Sequence, residues 1–240
     1  MAAIHKTVPE ASPPDGESIP PLRQGDRLSR AEFERRYDAM PHLKKAELID
    51  GTVYLPSPVS IEKHSSPHAI LVGWLVQYWA ATPGVRAGDN GSVRLDPMNM
   101  PQPDAFLMIL PEHGGQARVD ADDYLEGAPE LVVEVSASSA AHDLKEKRDV
   151  YRRAGVREYL AWLVPEGQLH WFVLRDGRFE PLQPGSDGNY RSEVFPGLWL
   201  NANSLLHGDL GAFFQTLQQG LASPEHAEFV NHLRQKAAPG

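Results

Sequence analysis

Gln102-Pro103-Asp104 leads into the apolar run Ala105-Phe106-Leu107-Met108-Ile109-Leu110, and a polar loop separates it from a second run, Leu131-Val132-Val133-Glu134-Val135. Continuous apolar runs of this length fit strands covered on both faces. The segment that follows carries Asp143, Lys147 and Tyr151 at helical spacing and stops at Ala154-Gly155, after which residues 157–164 form a further apolar run. Strand and helix in this order predict an α/β fold, a mixed sheet flanked by helices in one domain.

Three side chains in this stretch are costly where they stand. Glu134 interrupts an aliphatic run, where a charged, unpaired carboxylate loses its hydration. Protonation, an ion pair or a metal would relieve it; a pleat position facing solvent on an edge strand would make it harmless. Asp104 follows Pro103 at the mouth of the first run. It is either a turn aspartate or, with the two runs as neighbours about 4.8 Å apart, a partner of Glu134 around one cation. Hard oxygen ligands of this kind favour magnesium or manganese. On a helical wheel of ~100° per residue, Lys147 falls in the apolar arc of Leu144, Tyr151 and Ala154, while Lys145, Glu146, Arg148, Asp149, Arg152 and Arg153 lie elsewhere. It either snorkels to water or meets an acid cluster or a substrate phosphate. Asp143, at the edge of that arc, reads as a helix cap before a ligand, as do Ser138 and Ser139. Two acids and a lysine converging on one point would suit cation-assisted phosphodiester hydrolysis.

Outward from this stretch, residues 46–55 read as a β-hairpin turning at Asp50-Gly51, with Leu48 opposite Val53. Glu47 falls on the mixed face of that hairpin, so periodicity does not decide its burial. Ser66-Pro67 opens a helix to about Ala81 that is apolar almost all round and is therefore expected to be buried. His64 and His68 have the spacing of a helical metal pair, but Pro67 argues against helix before it, which leaves His68 as a polar residue of the first turn. Residues 111–128 read as a polar loop, and 168–194 as an antiparallel continuation of the sheet. Residues 1–27, rich in proline, read as a mobile tail; 28–207 form the domain, and 208–240 a C-terminal helical extension.

The chain has 240 residues, no cysteine, 41% hydrophobic residues and a formal net charge of −9. The absence of cysteine excludes disulfides and thiolate metal sites. No run is long enough to span a bilayer and no signal-peptide order is present, so no membrane partner and a cytoplasmic location are expected. The acidic balance argues against a protein that coats nucleic acid by charge alone, but not against acids gathered round a metal. Neither a glycine-rich phosphate loop nor a nucleophile elbow is present.

These residues resemble the PD-(D/E)xK, restriction-endonuclease-like superfamily, and within it the Uma-two family of endonucleases. The resemblance rests on Glu47-Leu48-Ile49-Asp50-Gly51, Ser57-Pro58 with His68, Pro103-Asp104, residues 131–136, Asp143 with Lys147 and Tyr151, and Gly155-Val156-Arg157-Glu158-Tyr159, spanning roughly residues 30–205. It implies a restriction-endonuclease-like mixed sheet and a Mg2+ (or Mn2+) site acting on nucleic acid, DNA first. Asp104, Glu134 and the Val135 carbonyl would be metal ligands, Glu47 an accessory acid, and His68, Asp143 and Tyr151 further members of the site. One position departs from the superfamily pattern: the lysine usually found two residues after the second acid is here Ser136, and Lys147 is the implied migrated replacement. The alternatives are a catalytically inactive binding module on the same fold and an assembly role as a homodimer. Two carboxylates alone also suit glycoside hydrolysis, which offers no role for Lys147.

Overall fold

The computed structural model describes residues 19–56, 58, 60–137 and 141–237, the side chains of 141–144 excepted. Along the chain lie α1 (Arg30–Asp38), β1 (Glu47–Ile49), β2 (Thr52–Tyr54), a π turn (Ile61–Ser65) running into α2 (Ser66–Ala81), β3 (Val85–Asp89), β4 (Val93–Arg94) and β5 (Ala105–Ile109). There follow β6 (Arg118–Val119), β7 (Leu125–Glu126), β8 (Leu131–Ser136), α3 (Ala141–Ala154), β9 (Glu158–Leu163), β10 (Gln168–Arg175) and β11 (Arg178–Pro181). The chain continues with β12 (Asn189–Arg191), β13 (Trp199–Asn201), α4 (Ala202–Leu206), α5 (Leu210–Leu221) and α6 (Pro224–Ala237).

The main sheet has the order β11-β10-β9-β8-β5-β3. β8 and β9 pair in parallel and every other neighbour is antiparallel, which is the mixed sheet expected. A parallel pair needs a crossover, and α3 provides it. β8 is central and covered on both sides. Leu131, Val133 and Val135 join the core under α2, whereas Val132 packs with Tyr151, Tyr159 and Ala161 on the α3 side. Its continuous apolar run is therefore two half-patterns, one for each face.

Asp50 and Gly51 take φ of 45° and 73°, the left-handed pair a tight hairpin turn requires, and Leu48 pairs with Val53 as expected. Four regions differ from the sequence reading. Of the expected tail, residues 22–27 are tied down: Leu22 is buried, Gly25 N–H donates to Val53 O and Val53 N–H to Asp26 O, so β2's free edge finds partners there. Residues 1–18, Ser57 and the candidate caps Ser138 and Ser139 lie outside the described residues.

Helical backbone begins at Ile61, ahead of Pro67, because the turn there is a π turn. Ser65 N–H bonds to Ser60 O and Ser66 N–H to Ile61 O, five residues back, and this widened turn accommodates the proline ring. The polar loop 111–128 contains β6 and β7, which form a small sheet with β4; two-residue strands are too short to show a period. Finally, α2 is buried on one side only. Leu71, Trp74, Leu75 and Tyr78 are covered, partly by Phe213 and Leu217 of α5, while Val76 and Trp79 are exposed. Thus α5 and α6, expected as an extension, contribute Phe213, Leu217 and Leu233 to the main core.

Candidate active site

Asp104 and Glu134 meet because of strand register. Ala105 pairs with Val133, and continuing that antiparallel register by one residue sets Asp104 opposite Glu134. Asp104, just before β5, is buried, and its Oδ2 accepts the Val135 N–H at 2.8 Å. Ser136 O accepts from Val164 N beyond the end of β9, so by strand alternation the N–H and C=O of Val135 both point to the other edge, toward Asp104. Glu134 shares the α3 face with Val132. It is only 4% exposed on a central strand, which removes the edge-strand reading.

Lys147 and Tyr151, one helical turn apart on α3, close over Glu134. Lys147 Nζ lies 3.1 Å from Glu134 Oε1 and 2.8 Å from Glu47 Oε1, and Tyr151 OH donates to Glu134 Oε1 at 2.8 Å. The ammonium therefore does not snorkel to water. Glu47, whose position periodicity left open, is brought in by β1; its Oε1 also accepts Gln102 N–H at 2.8 Å. Among the described residues, Glu134 Oε2 receives no hydrogen bond, since Lys147 and Tyr151 both address Oε1.

Burial, the largest influence, pushes the Glu134 carboxyl up to about 7; Lys147 opposes this, and the charges of Asp104 and Glu47 add to it. For Asp104 burial works in the same direction, but the His64 hydrogen bond, Lys45, the Val135 N–H and Lys147 outweigh it and hold the carboxyl well below the usual range. Two adjacent acids thus separate into one readily ionised and one reluctant group. Burial disfavours the Lys147 ammonium, yet Glu134 and Glu47 overcome it and raise its pKa, so Lys147 keeps its proton. Tyr151 is raised well above its ordinary value by burial and by Glu134, so its hydroxyl is a hydrogen-bond donor.

Three further residues surround Asp104. His64 Nε2 lies 3.3 Å from Oδ2, Lys45 Nζ lies 3.4 Å from Oδ1, and His68 Nε2 lies 2.8 Å from the Asp104 backbone O and 2.9 Å from Asp89 Oδ1. His68 is thus beside the site, contacting main chain. Pro67 argues against helix at His64, yet the structure places it on one helical surface with His68, the two rings 5.7 Å apart. Lys45 gave no signal, because a lysine pair before a strand looks like solvated charge. The Asp143 side chain lies outside the described residues.

Among the described residues no three His, Asp or Glu side chains form a ready-made metal cage. The donors that suit a hard cation are the carboxylates of Asp104 and Glu134 and the Val135 carbonyl. Glu134 Oε2, which accepts no hydrogen bond among the described residues, is the oxygen such an ion would satisfy. No helix among the described residues is long and apolar enough to cross a membrane.

No curated protein matches this sequence. The crystal structure of a "putative nuclease belonging to DUF820" from Anabaena variabilis is similar, with a TM-score of 0.54 over 72% of this chain and 96% of that one, at 14% identity. That likeness carries the fold, a mixed sheet flanked by helices. The model of the Uma2 family, described as "Putative restriction endonuclease", matches residues 30–203, the span that holds the hairpin, both acids and Lys147. This chain belongs to the Uma2 family.

Proposed function

We propose that the chain is a metal-dependent endonuclease that hydrolyses phosphodiester bonds in nucleic acid, DNA in the first instance. The observation that carries this reading is the meeting of Asp104 and Glu134, from adjacent strands, with Lys147 and Glu47 in one cluster. Asp104, Glu134 and the Val135 carbonyl would hold Mg2+ or Mn2+, with Glu47 completing the acid set. Such an ion, when bound, supplies Lewis-acid polarisation and a more acidic water.

The chain's own groups do the rest. Lys147 holds its proton and so serves as a cation, not a base, beside the phosphate oxygens as their charge grows. Tyr151 fixes Glu134 by donating to Oε1, which leaves Oε2 without a donor among the described residues. The Val135 N–H and His64 hold Asp104 by Oδ2, and the two-sided packing of β8 keeps both acids in place.

Plasmid nicking with Mg2+ or Mn2+ tests the reading: wild type should nick, and Glu134→Ala and Lys147→Ala should not. Equal activity in all three would refute it. A second reading, a nuclease-fold binding or assembly module without catalysis, is favoured by Ser136 at the usual lysine position and by the absence of a three-ligand cage among the described residues. Calorimetric titration with Mg2+ separates the two, because only the catalytic reading requires a divalent ion to bind. Sedimentation velocity tests the homodimer.

A further inference from the structure

Beside the acid cluster lies a cleft of about 430 Å³ whose walls include Tyr37, Lys44, Asn90, Ser92, Gln102 and Tyr124. It shares two connections with the site. Lys45 Nζ bridges Asn90 Oδ1 at 3.0 Å and Asp104 Oδ1 at 3.4 Å, and the Gln102 backbone N–H holds Glu47. A group in the cleft is therefore next to whatever the acids and Lys147 act on.

Its walls are braced. Tyr37 packs against Phe33, with ring centroids 5.6 Å apart, and the Arg94 guanidinium sits over the Tyr124 ring at 4.5 Å while ion-paired to Glu34, Asp120 and Asp122. Two braced aromatic rings are the surfaces on which nucleobases stack. Gln102 adds direction. Its side chain is nearly buried, and Nε2 donates to Ser92 Oγ at 2.7 Å and to Tyr37 OH at 3.3 Å. Both amide hydrogens are thereby committed, while Oε1 accepts from nothing among the described residues. The cleft is thus lined by two braced tyrosines and by one fixed amide whose acceptor is unused among the described residues.

We propose that this cleft receives one nucleobase of the nucleic-acid substrate and favours a base with an exocyclic amino group, which donates to Gln102 Oε1. An amide acceptor suits the projecting amino group of adenine N6 or cytosine N4, whereas thymine carries O4 at that position and offers only its recessed ring N3–H. The proposal rests on the nuclease reading for its substrate class, but its test needs no cleavage. The 15N-labelled full chain is titrated, without divalent metal, with dAMP, dCMP, TMP and the purine deoxynucleotide that lacks the amino group, and side-chain amide signals are followed by NMR.

The Gln102 and Asn90 amide signals should move, with dAMP and dCMP binding about fivefold more tightly than the other two, the factor one hydrogen bond carries. Gln102→Leu should abolish that difference. Equal affinity for all four nucleotides, or no movement at Gln102, overturns the proposal on wild type alone, whether or not the variant folds. A chain that discriminates the nucleotides but never nicks DNA keeps the cleft and loses the nuclease. A chain that nicks DNA with Gln102 unmoved keeps the nuclease and loses the cleft.

Discussion

Glu134 and Glu158 stand on adjacent strands of one sheet, are 4% and 0% exposed, and are both pushed by burial up to about 7. They are nevertheless different devices. Glu158 is saturated: Oε1 accepts from Glu193 N–H at 2.7 Å and Val194 N–H at 3.2 Å, and Oε2 from Ser192 Oγ at 2.7 Å and Trp171 Nε1 at 3.2 Å. Every donor is neutral and fixed, and no lone pair faces a cavity, so the carboxyl pins the 192–195 turn to the sheet. Glu130 does the same on a smaller scale, accepting Ile109 N–H and Gln116 N–H. Glu134 instead has a cation and a phenol on one oxygen and, among the described residues, no donor on the other. A buried acid that the fold satisfies is structural; one that the fold leaves half satisfied has capacity for a ligand.

This contrast can be broken by experiment. The largest expected effect is on activity: Glu134→Gln should lower plasmid nicking by at least about a hundredfold, with Glu158→Gln near wild type in the same assay. Comparable losses in both would erase the distinction. Stability should rank them the other way. Glu158→Gln turns an NH2 group toward donors and should cost about 2 kcal/mol in urea unfolding, more than Glu134→Gln costs.

Lys147→Met should likewise cost about 3 kcal/mol, because Glu134 and Glu47 lose their shared counter-charge. It should also reduce nicking. A stable but inactive variant would assign Lys147 to chemistry alone.

A smaller effect concerns pH. The folded chain keeps the Glu158 proton up to about pH 7, whereas the unfolded chain releases it near the ordinary value of 4.5. Through this group the folded state binds more protons between those values, so the Glu158 contribution to stability should be fully present below 4.5 and be lost as pH rises toward 7, by up to about 3 kcal/mol. Urea midpoints at pH 5 and 7.5 should show that fall in wild type and a flatter profile in Glu158→Gln. A rising wild-type profile would mean that the four donors outweigh burial. The smallest change is Tyr151→Phe, which removes one hydrogen bond from Glu134 and should cost about 1 kcal/mol, readable as a modest shift in the melting temperature.

The hairpin was legible in the sequence because Asp50-Gly51 demands a particular backbone, and the central strands because burial on both faces leaves no polar period. Glu134 and Lys147 stood out as charges in apolar surroundings. The same signal was present at Glu158 and Glu130, where the run of apolar residues begins, and it did not separate the structural acids from the candidate ligand. Helix at His64 was not legible, because Pro67 disfavours an α-turn before it and a π turn forms instead. Lys45 and the tie between residues 22–27 and β2 left no trace, since each depends on a partner far along the chain. The short strands β4, β6 and β7 are held by pairing rather than by any local period.

The amino-acid sequence by itself determined the α/β class, the hairpin and the fact that acids and a lysine occupy costly positions, because turn chemistry and hydrophobic periodicity are local properties. Only the tertiary structure decided that Asp104 faces Glu134, that Lys147 divides itself between Glu134 and Glu47, and that Glu158 has donors on both oxygens while Glu134, among the described residues, has them on one. Those outcomes depend on strand register and helix placement, which bring together residues dozens of positions apart, and no local pattern encodes which partner a buried charge will meet.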